Sequence, residues 1–153
     1  MKRAIRGRET GKIAPLLQKV LVLLLDGAAQ LKQLHWTVKG PHFGPIHTKL
    51  DEIVDRLRSG ADDVAERLTA LGIAPDGRTG TVASATSLKA APEGFVADSS
   101  VVTLTSDMLF ALSGELQAGI GGLGDVDPVS QDLLIGITAE VEKQLWMMQA
   151  QEG

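Results

Sequence analysis

Apolar residues recur along this chain at the three-to-four-residue spacing of a helix, not in the alternation of a strand. Leu17, Leu21, Leu24, Ala28, Leu31 and His35 share one face of a segment expected to start near Ile13, with Pro15 in its first turn, and to end near Val38. Lys39-Gly40-Pro41 breaks it. A second stripe, from Ile46 through Leu50, Ile53, Val54, Leu57, Ala61, Val64 and Leu68 to Leu71, predicts a helix over about 45–71, stopped by Gly72, Pro75 and Gly77. Residues 73–97 have no strong period and read as a long crossover that could hold one short helical turn. A third helix is expected from Asp98 or Ser99 as cap to about Gly119, because GIGGLGDVD is too rich in glycine to hold a helix. The fourth opens with Asp127 as N-cap and Pro128 in first position, and runs to about Gln149. No segment reads as a strand. The expected fold is all-α: four helices, with a long crossover between helices two and three that lets two helix pairs lie side by side.

Composition narrows the chemistry. The chain has 153 residues, enough for one domain with a real core, and 3% aromatics, so that core must be built from aliphatic side chains. There is no cysteine, which excludes disulfides, thiolate metal sites and a thiol nucleophile. The net charge of −4 is uneven: residues 1–20 carry Lys2, Arg3, Arg6, Arg8, Lys12 and Lys19 against Glu9 alone, a local +5 that leaves −9 on the rest. A basic arm over residues 1–12, on an acidic body over 13–150, suggests that the arm touches anions and the body attracts cations. Lys2, Arg3, Arg6 and Arg8 are the candidate contacts to DNA phosphates. Lys19 and Asp26 bracket an apolar run of only six residues, too short for a membrane span or a good secretory signal, so a cytoplasmic protein is expected.

The second helix carries the informative charge pattern. At 100° per residue, Lys49, Glu52, Arg56, Asp63 and Arg67 share an outer face of mixed sign, stitched by favourable i,i+4 pairs. A separate flank holds His47, Asp51, Asp55, Arg58, Asp62 and Glu66. Its like-charge pairs Asp51/Asp55 and Asp62/Glu66 each weaken a bare helix by a few tenths of a kcal/mol, a cost that a bound cation would reverse. Either a solvated acidic flank or a metal site accounts for it. His35, on the apolar face of the first helix, is by itself more often a hydrogen-bonded core residue than a ligand. His47 and Asp62 lie 15 residues apart, about 22 Å along a helix, so one chain cannot offer both to one ion. Two antiparallel copies crossing near residue 54 or 55 can, and such an isologous interface creates two equivalent sites. A set of nitrogen and oxygen donors without sulfur suits Fe(II) or Zn(II).

Three motif blocks make a family resemblance specific. They are Lys32 to Gly40 (KQLHWTVKG), Phe43 to Asp51 (FGPIHTKLD) and Asp62 to Arg67 (DDVAER). With a final helix containing KQLWMM, they make residues 15–150 resemble the Dps family, the miniferritins. The resemblance implies a ferritin-like four-helix bundle assembled into a hollow homo-dodecamer. It implies Fe(II) oxidation by hydrogen peroxide (or oxygen), with Fe(III) oxide stored inside. It also implies a ferroxidase site shared between subunits: His35, His47 and Asp51 from one chain, Asp62 and Glu66 from its partner, with Trp36 packed beside them. Within that set, the histidines would bind through neutral nitrogens, the Asp62 and Glu66 carboxylates through oxygen, and Asp51 would support a second iron or orient a ligand. Asp125, Asp127 and Asp132 sit where relatives line an iron entry pore, although Asp127 is equally well explained as a cap. The intrasubunit Glu-x-x-His signature of larger ferritins is absent. His42 has no place in the ligand pattern and reads as a surface loop residue. Two other readings remain open at this point: a nucleoid-associated DNA-binding protein with a vestigial metal site, and a plain structural bundle.

Overall fold

A computed structural model describes residues 10–152. It contains α1 (Thr10–Thr37), β1 (Val38–Lys39), α2 (Phe43–Ala70), α3 (Thr79–Ala85), β2 (Val96–Ala97), α4 (Asp98–Leu123) and α5 (Pro128–Gln149). The fold is an all-α, ferritin-like bundle of four long helices. α1 and α2 form one antiparallel hairpin, α4 and α5 the other, and α1 packs on α4 while α2 packs on α5. By length and composition alone α1 could cross a bilayer. Here its apolar residues enter the bundle instead: Leu17, Leu24, Leu31 and Leu34 are fully buried, facing Leu50, Leu57 and Leu109 in the same core. Each such leucine contributes roughly 1.5–3 kcal/mol by leaving water.

The helix boundaries depart from the expected ones at three places. α1 is already helical at Thr10, one turn ahead of Ile13, so Pro15 sits inside the helix rather than in its first turn. α4 continues through the glycines to Leu123. Tertiary packing overrides propensity there: a Cβ on Gly119 would lie 3.0 Å from Leu134, and one on Gly122 would lie 2.8 Å from Leu16. The missing side chains let α4 approach α5 and α1 closely. The cap of α4 also differs, since Ala97 holds the N-cap position and Asp98 is the first helical residue.

The crossover is anchored rather than loose. Gln18 exchanges hydrogen bonds with the backbone of Asp76, donating to its carbonyl (2.8 Å) and accepting from its N–H (2.9 Å). The Thr86 hydroxyl donates to the carboxylate of buried Asp26 at 2.6 Å, and the Ala91 N–H donates to Gln30 at 2.8 Å. The single expected helical turn is α3, a two-turn helix packed on α1. A two-residue parallel bridge, unforeseen because it is too short to show a period, pairs Val38 with Val96 and Lys39 with Ala97.

That bridge places the start of α4 against the turn between α1 and α2. The Asp98 carboxylate accepts the His42 N–H at 2.7 Å, and this backbone donor is the main reason its carboxyl is held below the usual range. Gly40 adopts φ +143°, and a Cβ there would lie 2.4 Å from Asp98 Cγ. The turn therefore needs glycine for both backbone angle and space. Replacing Gly40→Ala is expected to cost about 2 kcal/mol or more, read by chemical denaturation against unchanged far-UV circular dichroism at low denaturant.

Candidate metal centre

The tight turn brings the last turn of α1 beside the first turns of α2, and so brings His35 and His47 together. Each ring bonds the other's backbone: His35 Nδ1 lies 2.8 Å from the His47 carbonyl, and His47 Nδ1 lies 2.9 Å from the His35 carbonyl. The rings stack with centroids 3.6 Å apart and planes 21° apart, and Phe43 lies 4.8 Å from the His47 ring. A carbonyl only accepts, so both Nδ1 atoms carry hydrogen, and in the neutral imidazole each Nε2 would keep a free lone pair. A neutral imidazole with its Nδ1–H tied to a carbonyl is a ligand with fixed tautomer and fixed ring orientation. His35 is only 5% exposed, so the pair is held by packing as well as by hydrogen bonds.

Asp51 lies one turn beyond His47. Its Oδ1 is 3.5 Å from His35 Nδ1 and is ion-paired with Lys32 Nζ. The Lys32 ammonium is the main cause that holds the Asp51 carboxyl below its ordinary value. Lys32 had no assigned role in the sequence reading. The available signal was its position three residues before His35, which places both on one helix face.

Asp62 and Glu66 stand exposed on the same flank of α2, about four turns further on. Among the described residues, no group of three or more His, Asp or Glu side chains within the chain could hold a metal ion. The chain thus presents two separated halves: a histidine pair with Asp51, and a carboxylate pair. Beside the second half, Leu21, Leu25, Arg58, Ala61, Asp62 and Ala65 border a hollow of about 320 Å³. Trp36, expected beside the metal site, is 64% exposed in the single chain, and Phe43 is 44% exposed.

The expected pore residues separate. Asp125 and Asp132 are exposed. Asp127 is 3% exposed and committed elsewhere: Arg67 donates to both its oxygens at 3.0 and 2.9 Å, and the Ser130 hydroxyl donates to it as well. Burial pushes its carboxyl up, but Ser130 and Arg67 outweigh that and hold it below the ordinary range. Asp127 therefore offers no free carboxylate to a passing cation. It also makes no side-chain cap bond despite holding the N-cap position. His42 is exposed, with Nδ1 3.2 Å from Asp98. Lys2, Arg3, Arg6 and Arg8 lie outside the described residues.

A long-crossover bundle whose helix-two flank carries these half-sites is ferritin-like, and the ferritin-like domain family matches residues 15–152. The chain belongs within it to the Dps family, the DNA protection during starvation proteins. It is 34% identical to the DNA protection during starvation protein of Mycolicibacterium smegmatis over 146 residues, covering 94% of this chain and 78% of that protein. The structure of Dps from Microbacterium arborescens in its high iron form superposes with a TM-score of 0.91 at 34% identity, covering 97% of both chains. The fine tangled pili major subunit of Haemophilus ducreyi is also 34% identical, over 90% of this chain and 73% of that protein.

The tautomer assignment is directly testable. In metal-free protein above neutral pH, ¹⁵N NMR of His35 and His47 is expected to show protonated Nδ1 and unprotonated Nε2 in both. The opposite tautomer in either ring would break the reciprocal bonds described above.

Proposed function

We propose that this protein is a miniferritin that binds and oxidises Fe(II) at sites shared between two copies, and stores the ferric product inside a homo-dodecameric cage. The observation that carries the reading is the pair of half-sites on one flank. Two Nε2 lone pairs are fixed at one end of α2, two exposed carboxylates stand at the other, and about 22 Å of helix lies between them. Antiparallel pairing of two copies about a centre near residue 54 or 55 brings His35, His47 and Asp51 of one subunit to Asp62 and Glu66 of its partner. Neutral imidazoles and carboxylates together suit Fe(II) and, by their negative charge, stabilise the Fe(III) product.

With hydrogen peroxide as oxidant the balance is simple. Two Fe(II) each give up one electron, the O–O bond breaks, two protons are taken up and two waters leave. The paired electron delivery avoids hydroxyl radical and so protects nearby DNA. Oxygen is the alternative oxidant. The acidic body concentrates cations, and Asp125 and Asp132, free of the ion pair that occupies Asp127, are the remaining pore candidates. The mycobacterial relative is a DNA protection during starvation protein. In this chain Lys2, Arg3, Arg6 and Arg8 would supply a salt-sensitive contact to phosphates, and the working compartment would be the cytoplasm or nucleoid.

The test is Fe(II) plus peroxide loading followed by size exclusion with iron detection. Iron is expected to co-elute with a particle near twelve subunits. Asp62→Asn with Glu66→Gln is expected to weaken Fe(II) binding by at least about tenfold. The same change should leave the metal-free helix as stable or slightly more stable, because it relieves a like-charge pair. Unchanged iron uptake in an assembled double variant would contradict the shared site. A large particle that takes up no iron would move the function to DNA protection.

A further inference from the structure

We infer that Arg58 is the residue that locks two copies of this chain together, by pairing across the two-fold axis with Asp51 of the partner subunit. This rests on the shared-site reading above, which fixes the centre of pairing but says nothing of Arg58. His47 and Asp62 lie equally far on either side of a centre between residues 54 and 55. Asp51 and Arg58 lie equally far on either side of the same centre, and all four occupy one flank of α2. Any antiparallel pairing that sets His47 opposite Asp62 therefore sets Arg58 opposite Asp51, twice, once on each side of the axis.

The side chains are in the states this pairing needs. Arg58 is exposed at the rim of the 320 Å³ hollow, beside Asp62. Among the described residues it makes no ion pair, although Asp55 and Asp62 stand within a turn of it on the same flank. Asp51 is half-exposed, and its contacts with Lys32 and His35 both fall on Oδ1. A guanidinium arriving from the partner would take Oδ2. Without it, the facing flanks would bring Asp51, Asp55, Asp62 and Glu66 of both copies together, eight carboxylates in all, with Lys32 as the cation that pairs with them in each. Arg58 supplies the charge complementarity that selects a second copy as the occupant of this face. It also makes assembly hold the carboxylate nearest the histidine clasp. Arg58 is thus a positioning residue, not a ligand.

Absence of cysteine makes the test clean. Asp51→Cys and Arg58→Cys placed together in the full chain lie about 10.5 Å apart on one helix, beyond disulfide reach, so an S–S bond between them can form only between copies. Mild oxidation is expected to give a covalent dimer on a non-reducing gel, while a Lys49→Cys/Arg56→Cys control on the flank of α2 that turns toward α5, not out to solvent as expected, stays monomeric. In sedimentation without metal, Arg58→Glu is expected to weaken association by about tenfold or more, and the swap Asp51→Arg with Arg58→Asp to restore most of it. Circular dichroism confirms that each variant is folded, and Arg58→Gln gives the milder loss. No cross-link, or Arg58→Glu assembling like the wild type, overturns the inference. If the wild type then still binds Fe(II), the metal reading survives that failure. Cross-linking in a protein that binds no Fe(II) supports the pairing and removes the metal reading instead.

Discussion

Fifteen residues of unbroken helix separate His47 from Asp62, and no rearrangement of one chain brings them to the same ion. That constraint organises the molecule. α2 runs unbroken from Phe43 to Ala70, and its inner stripe is buried in the bundle core while the flank carrying Asp62 and Glu66 stays exposed. A chain built this way displays a histidine pair and a carboxylate pair that, under the proposed function, only a second copy would bring to one ion. Trp36 and Phe43, near the histidines, are exposed in the single chain, and a hollow lies beside Asp62.

The histidine half of the site is prepared within the chain. Reciprocal bonds between each imidazole and the other's backbone depend on the turn at Gly40, and that turn depends on Asp98 reaching back from the start of α4. The crossover leads the chain to that place, anchored along α1 by Gln18, Asp26 and Gln30. Thus the second helix pair positions histidines that lie entirely on the first. The carboxylate half has no comparable support: Asp62 and Glu66 stand exposed on a regular helix, their geometry set by helix period alone.

Much of this was legible in the chain itself, because it depends on period and spacing. The four helices, the break at Lys39-Gly40-Pro41, the long crossover and the acidic flank all follow from local pattern. What was hidden depends on contacts distant in sequence. The glycines at 119 and 122 look like helix breakers until Leu134 and Leu16 are seen filling the space beside them. Asp127 reads equally as a cap or a pore residue until Arg67, sixty residues earlier, is found on its carboxylate. The His35–His47 clasp was invisible for the same reason. The resemblance grouped the two residues, but the Nδ1 protonation that would leave Nε2 open to a metal comes from carbonyls whose direction only the folded turn determines. Lys32 sat inside a recognised motif, but its link to Asp51 crosses from one helix to another.

The central claim, that each site takes histidines from one chain and carboxylates from another, is tested most directly by complementation. One variant carries His35→Ala and His47→Ala; the other carries Asp62→Ala and Glu66→Ala. Each alone should be inactive in Fe(II) oxidation. Unfolded together and refolded as a mixture, they form mixed pairs in which one of the two sites has all its ligands and the other keeps only Asp51, so about a quarter of wild-type activity should return at equal amounts. A mixture as inactive as its parts, with mixed particles demonstrably formed, would contradict a site shared between chains.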